Sequence, residues 1–247
     1  MDGIEWIRRP DGVQLAAAAT PARAQGPAVL FLPGYMSDMD GTKALHLADW
    51  GRRTGRRVVR FDYAGCGRSE GAFAAGTISG WTADAALVAD ALAPGPLLLV
   101  GSSMGGWIML HLARRLGARV VGLVGVAAAP DFVDWGLVLS AEEEAVLARE
   151  GEIRRPSPYG AEPYRYSAAF LADGARARLL DAPIPVAAPV RLLHGTADDA
   201  VPVEVAQRLV EALSSDDVRL TLVKGGDHRL SSARELALLE REVEALC

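Results

Sequence analysis

Two hydrophobic periods alternate along this chain. Short, nearly solid apolar runs at 27–32, 57–61, 96–100, 119–126, 190–193 and 218–223 read as strands covered on both faces. Between them lie stretches with helical spacing, at 42–54 (Leu45, Leu47, Trp50), 80–92, 107–116, 203–213 and 232–246. Residues 4–9 and 13–19 flank Pro10-Asp11-Gly12, a turn signal that predicts an antiparallel hairpin at a sheet edge. Strands alternating with helices at this spacing specify βαβ units. The expectation is an α/β domain whose mostly parallel sheet carries helices on both faces.

The alternation breaks between 127 and 188, where the chain turns aromatic, charged and proline-rich. One helix is clear inside the break: Ser140-Ala141-Glu142-Glu143 forms a capping-box pattern, and Gly151 suits a C-cap. Because strand and helix signals resume at 190, the break reads as an insertion between two parallel strands. Residues 1–130 and 184–247 are expected to form the core, and 131–183 a small cap over the carboxyl ends of the strands. No internal repeat or low-complexity tract is visible.

Composition narrows the class without naming a function. At 247 residues and 50% apolar content the chain can bury a large core, and a net charge of −5 argues against nucleic acid or anionic membrane as the main partner. No apolar run reaches membrane-spanning length, and residues 1–6 are acidic, without the apolar core of a signal peptide. Cys66 and Cys247 lack metal-ligand spacing and are not expected to pair. A soluble cytoplasmic protein with no metal or cofactor is therefore expected. Lysine is scarce, with only Lys43 and Lys224 among 26 cationic side chains.

Candidate chemistry concentrates at Gly101-Ser102-Ser103-Met104-Gly105-Gly106, where a predicted strand turns directly into a predicted helix. Glycine two before and two after a serine is the G-x-S-x-G nucleophile elbow, and only Ser103 fits that frame. A nucleophilic serine needs a base, and the chain offers four histidines. His111 lies eight residues along the same helix, roughly 12 Å away at 1.5 Å per residue, too far for a hydrogen bond. His46 falls on a surface helix, and His194 ends a strand where it braces a turn. His228, in Gly225-Gly226-Asp227-His228-Arg229 after the last strand, stands where α/β sheets put their sites. The orienting acid comes from His194-Gly195-Thr196-Ala197-Asp198-Asp199, where Asp198 is favoured and Asp199 competes; Asp131 and Asp134 are weaker stand-ins. The oxyanion donors are expected to be the backbone N–H groups of Met104 and Tyr35, the latter in the loop after strand 27–32. Met36, Trp135, Tyr159 and Tyr166 are the expected substrate contacts, with Tyr164 and Phe170 as further candidates to line an acyl cleft.

The elbow, the loop Phe61-Asp62-Tyr63-Ala64-Gly65-Cys66-Gly67-Arg68-Ser69 and the turn His194-Gly195-Thr196-Ala197-Asp198 resemble the α/β-hydrolase superfamily. The stretch from Leu32 to Ala44 is similar to the group that comprises mitochondrial acyl-protein (palmitoyl) thioesterases and acyl-glucuronide esterases with their bacterial relatives. This resemblance implies an eight-stranded, mostly parallel twisted sheet with a small helical cap. It also implies Ser103, Asp198 and His228 as a catalytic triad, and an acyl ester or thioester, small or protein-borne, as substrate. Hydrolysis of C–C or amide bonds by the same triad, or ligand binding without turnover, are the competing readings. Composition leaves the oligomeric state open.

Overall fold

The computed structural model describes residues 2–157 and 161–247. Its strands are β1 (Glu5–Arg8), β2 (Gln14–Ala19), β3 (Ala28–Leu32), β4 (Val58–Phe61), β5 (Leu97–Ser102), β6 (Val120–Val126), β7 (Glu152–Arg155), β8 (Tyr164–Ser167), β9 (Val190–Gly195) and β10 (Val218–Val223). Eight of them form one sheet in the order β1-β2-β4-β3-β5-β6-β9-β10. β1 and β2 run antiparallel at one edge, and every pairing from β4 to β10 is parallel.

The central strands show why their sequences lack a polar face. In β5, Leu97 and Leu99 belong to the cluster on one side of the sheet, whereas Leu98 and Val100 belong to the cluster on the other. In β3, Leu30 and Leu32 alternate with Val29 and Phe31 in the same way. Period-2 alternation is present, but both faces meet helices, so it reads as a solid apolar run. One layer contains α1 (Thr42–Thr54) and α8 (Ala233–Ala245), which contribute Leu47, Trp50, Leu239 and Val243. The opposite layer contains α2 (Ile78–Leu92), α3 (Met104–Leu116) and α7 (Val203–Ala212), with Trp81, Trp107, Ile108 and Leu209 buried against the sheet. α2 begins before residue 80, because the Thr77 hydroxyl caps it by accepting the Gly80 N–H at 3.0 Å.

The segment 131–183 differs from the helical cap expected from sequence. It contains α4 (Phe132–Trp135), α5 (Ala141–Glu150) and α6 (Ala168–Arg176), but also an antiparallel hairpin of β7 and β8. The α5 capping box forms in both directions, and Gly151 ends the helix at φ 74°. In the hairpin Ile153 pairs with Tyr166 and both are buried. On its other side Glu152 and Arg165 form an ion pair at 2.8 Å. Three arginines in two four-residue strands hide the apolar alternation from a sequence reading. Asp131, at φ 58°, fastens the two ends of the segment together. Its carboxylate accepts the N–H groups of Leu179 (2.9 Å) and Leu180 (2.8 Å).

Candidate active site

Ser103 occupies the junction between β5 and α3 at φ 54° and ψ −121°. Such a conformation costs a non-glycine residue about 1–3 kcal/mol and persists only when its surroundings enforce it. Here the Ser103 N–H donates to the Val126 carbonyl (2.9 Å), and its own carbonyl accepts from Gly106 (2.8 Å) and Ala129 (3.1 Å). The flanking glycines are a steric requirement. A Cβ at Gly105 would lie 2.0 Å from the Leu32 carbonyl oxygen, and one at Gly101 would lie 2.4 Å from the Gly105 oxygen.

His228 and Asp198 arrive from the loops after β10 and β9. The two loops are laced together: Ala197 N–H donates to Gly226 O at 2.9 Å, and Gly225 N–H donates to Thr196 Oγ1 at 2.9 Å. His228 Nε2 stands 3.1 Å from Ser103 Oγ, and its Nδ1 lies 2.9 Å and 3.1 Å from the two Asp198 carboxylate oxygens. A carboxylate offers only acceptors, so Nδ1 carries the proton and Nε2 is left to accept from the serine hydroxyl. The Asp198 side chain is 1% exposed and also accepts the N–H groups of Ala200 (2.9 Å) and Val201 (2.8 Å). Burial pushes its pKa up. The His228 hydrogen bond and charge and the two amides more than offset that, leaving the carboxyl below its ordinary range. Asp199 is exposed, Asp131 is engaged with Leu179 and Leu180, and Asp134 pairs with Arg178 at 3.1 Å. His46 lies 2.9 Å from Glu240, and His111 Nε2 lies 2.8 Å from the Ala177 carbonyl. His194 Nε2 lies 2.9 Å from the Val201 carbonyl and 3.6 Å from Asp198, so it braces the acid's loop from below.

A cavity of about 340 Å³ opens above Ser103 and His228, walled on one side by Gly34, Tyr35 and Met36. Gly34 makes the close approach there, since a Cβ at this position would stand 3.4 Å from Ser103 Cβ. The continuation of this loop is held by Asp62, whose carboxylate accepts the N–H groups of Met39 (2.7 Å) and Arg68 (2.8 Å). Arg60 adds bonds to the Met39 carbonyl (3.0 Å) and to Asp40 (2.5 Å). Lys43 reaches in from α1 and donates to the Arg229 carbonyl at 2.5 Å. Burial, with the Arg229 charge nearby, lowers its pKa to about 8.

The four expected substrate contacts separate. Met36 lines the cavity, at φ 52°. Trp135 does not line it: its indole N–H donates to the Pro130 carbonyl at 2.8 Å, and its ring packs beside Val201 and Val205. Tyr166 is buried behind the cavity wall, stacked on Tyr35 at 5.2 Å between ring centroids. Tyr159 lies outside the described residues. Tyr164 lines the cavity, whereas Phe170 is buried beneath it. Sequence reading missed Lys43, although its rarity in an arginine-dominated chain is a usable signal. It also missed the Tyr35 ring, which meets Phe73, Trp81, Phe132, Tyr164, Tyr166 and Phe170, and whose hydroxyl donates to the Arg165 carbonyl.

The family model of the alpha/beta hydrolase family matches residues 29–239, and the chain belongs to that family. Among its relatives is the palmitoyl-protein thioesterase ABHD10 of Bos taurus mitochondria, 38% identical over 98% of this chain and 79% of the relative. The solved structure of ABHD10 from mouse superposes with a TM-score of 0.90 at 35% identity, covering 99% of this chain and 98% of that one. A solved bacterial chain from Agrobacterium vitis S4 is 40% identical with a TM-score of 0.93, covering 100% and 98%. The thioesterase relatives are named as mitochondrial, whereas the sequence reading expects the cytoplasm. Among the described residues no helix is long and apolar enough to cross a membrane.

Proposed function

We propose that the protein is a serine hydrolase that cleaves carboxylic esters or thioesters through an acyl-enzyme on Ser103. The observation that carries this reading is the unbroken chain of hydrogen bonds from Ser103 Oγ through His228 to the buried Asp198. In this mechanism His228 Nε2 takes the hydroxyl proton as Ser103 attacks the acyl carbonyl. The same nitrogen then delivers the proton to the departing alkoxide or thiolate. A water molecule enters, His228 takes its proton in turn, and the acyl-enzyme is hydrolysed. Asp198 keeps the imidazole in the tautomer this requires and stabilises the imidazolium.

The tetrahedral oxyanion is received by the N–H of Met104, at the first turn of α3, and the N–H of Tyr35, on the loop beside Ser103. The names of the ABHD10 relatives support a thioester among the substrates. A fluorophosphonate probe tests the reading. Wild-type protein is expected to be labelled on Ser103, and Ser103→Ala not at all. Unlabelled wild type, or undiminished labelling of the variant, overturns it.

A further inference from the structure

Resting on the serine-hydrolase reading, we infer that Lys43 is a positioning residue for His228, because it reaches from α1 to the Arg229 carbonyl and fixes the backbone that follows the general base. Its place in the fold is unfavourable by itself. Lys43 is the second residue of α1, whose first turn holds no acidic side chain and whose N-cap, Gly41, offers no side-chain acceptor. The unpaired amides at that end of a helix carry partial positive charge, so a cation there is repelled. The side chain is also partly buried, in the wall of the cavity above Ser103. Lysine stems ordinarily carry their charge out to water. This one turns instead to a backbone carbonyl at 2.5 Å. A local rule broken in this way points to a role in the site.

The loop it holds is one that needs holding. His228 stands between Gly225, at φ 73°, and Leu230, a non-glycine residue at φ 42° whose side chain is buried in one cluster with Leu239 and Val243. Backbone of that kind persists only where its surroundings enforce it. The Asp227 carboxylate accepts the N–H groups of Arg229 and Leu230, both at 3.0 Å, and Lys43 takes the Arg229 carbonyl. Asp227 belongs to the same loop and can move with it. Lys43 belongs to a 13-residue helix whose Leu47 and Trp50 are buried against the sheet, so its bond anchors the loop to the body of the molecule. The same helix follows directly on the loop that carries Tyr35, and both loops line the cavity with Ser103. Charge strengthens the hold, since an ammonium donates to a carbonyl more strongly than a neutral amine does. Burial, then the Arg229 charge, lowers the Lys43 pKa to about 8 against the opposing pull of Asp227 on the loop and Glu235 on α8. Asp38, Glu162, Tyr35, Tyr164 and His228 line the same cavity. The hold is therefore strongest below about pH 8 and weakens as pH rises through that value.

The test compares Lys43→Met, which keeps an unbranched stem and removes the donor, with Lys43→Arg, which keeps a donor and the charge. Hydrolysis of p-nitrophenyl acetate and the rate of Ser103 labelling by a fluorophosphonate are followed from about pH 6 to pH 10. Lys43→Met is expected to lower kcat about thirtyfold with KM within about threefold of wild type, because a misplaced base weakens the transition state and not substrate binding. Labelling should slow by a similar factor. Lys43→Arg should return kcat to within about threefold of wild type. Wild-type kcat should decline about threefold to tenfold above pH 8. That decline should vanish in both variants, since one lacks the amine and the other stays charged. If the methionine protein does not fold, Lys43→Gln takes its place with the same outcomes required. A kcat within about threefold of wild type, a loss confined to KM, or an alkaline decline that survives both substitutions overturns the inference. Wild-type protein that the fluorophosphonate does not label is a distinct result, which removes the hydrolase reading itself.

Discussion

At the scale of single residues, the site depends on a few atoms that cannot move. A Cβ at Gly105 would overlap the Leu32 carbonyl, a backbone atom in the middle of the sheet that has nowhere to go. Gly105→Ala should therefore either fail to give soluble protein or lose Ser103 labelling by several orders of magnitude; near-normal labelling contradicts the geometry. Asp198 and Asp199 are adjacent in sequence but not in role. Asp198→Asn leaves His228 with the wrong tautomer and should lower kcat by about 10⁴, while Asp199→Asn should leave it within about threefold of wild type. Steady-state kinetics on one soluble ester decides between them. Asp198 also links the site to acid stability. Its folded pKa lies below the unfolded value of about 3.9. The stability it contributes is therefore present above that value and lost as pH falls through the folded pKa. Thermal unfolding between about pH 5 and pH 2 should show a shallower loss of Tm in Asp198→Asn than in wild type. Parallel slopes would mean the carboxylate is not held as described.

At the scale of elements, most boundaries were legible because each has a local cause. α1 runs Thr42–Thr54 as the periodicity predicts, and it stops where Gly55 takes a φ of 73°. The Ser140–Glu143 box and Gly151 delimit α5 as expected. The hairpin of β7 and β8 was not legible, since Glu-Ile-Arg-Arg and Tyr-Arg-Tyr-Ser look like solvent-exposed chain until pairing buries Ile153 and Tyr166. Trp135 was misplaced for a related reason. An aromatic residue in an insertion suggests a cleft wall, but Val201 and Val205, beside which it packs, are about seventy positions away and leave no local trace. The two ends of segment 131–183 are joined by a buried carboxylate, which gives a prediction at this scale. Asp131→Ala strands the N–H groups of Leu179 and Leu180 and should cost about 3 kcal/mol in denaturant unfolding. Proteolytic cleavage within 131–183 should also become faster. A loss under about 0.5 kcal/mol would show that the cap does not depend on this staple.

At the scale of the whole molecule, the parallel part of one sheet delivers three side chains to one end. Ser103 follows β5, Asp198 follows β9 and His228 follows β10, each in the loop at the carboxyl end of its strand. Their order along the chain made the constellation legible, because each lies in the loop that ends a predicted strand, where few residues compete for the role. What lies above them was less legible. The ring of Tyr35 packs beside the cavity, and its partners range from Phe73 to Phe170 along the sequence. The most direct measurement is the acyl-enzyme itself. Wild-type protein mixed rapidly with p-nitrophenyl acetate should release a burst of p-nitrophenol stoichiometric with enzyme, and quenched protein should carry one acetyl group on the peptide containing Ser103. Turnover without a burst would not decide the matter, so the quenched peptide is the critical reading. An acetyl group found there supports the account, and an acetyl group on any other residue, or none in an active preparation at any quench time, contradicts it.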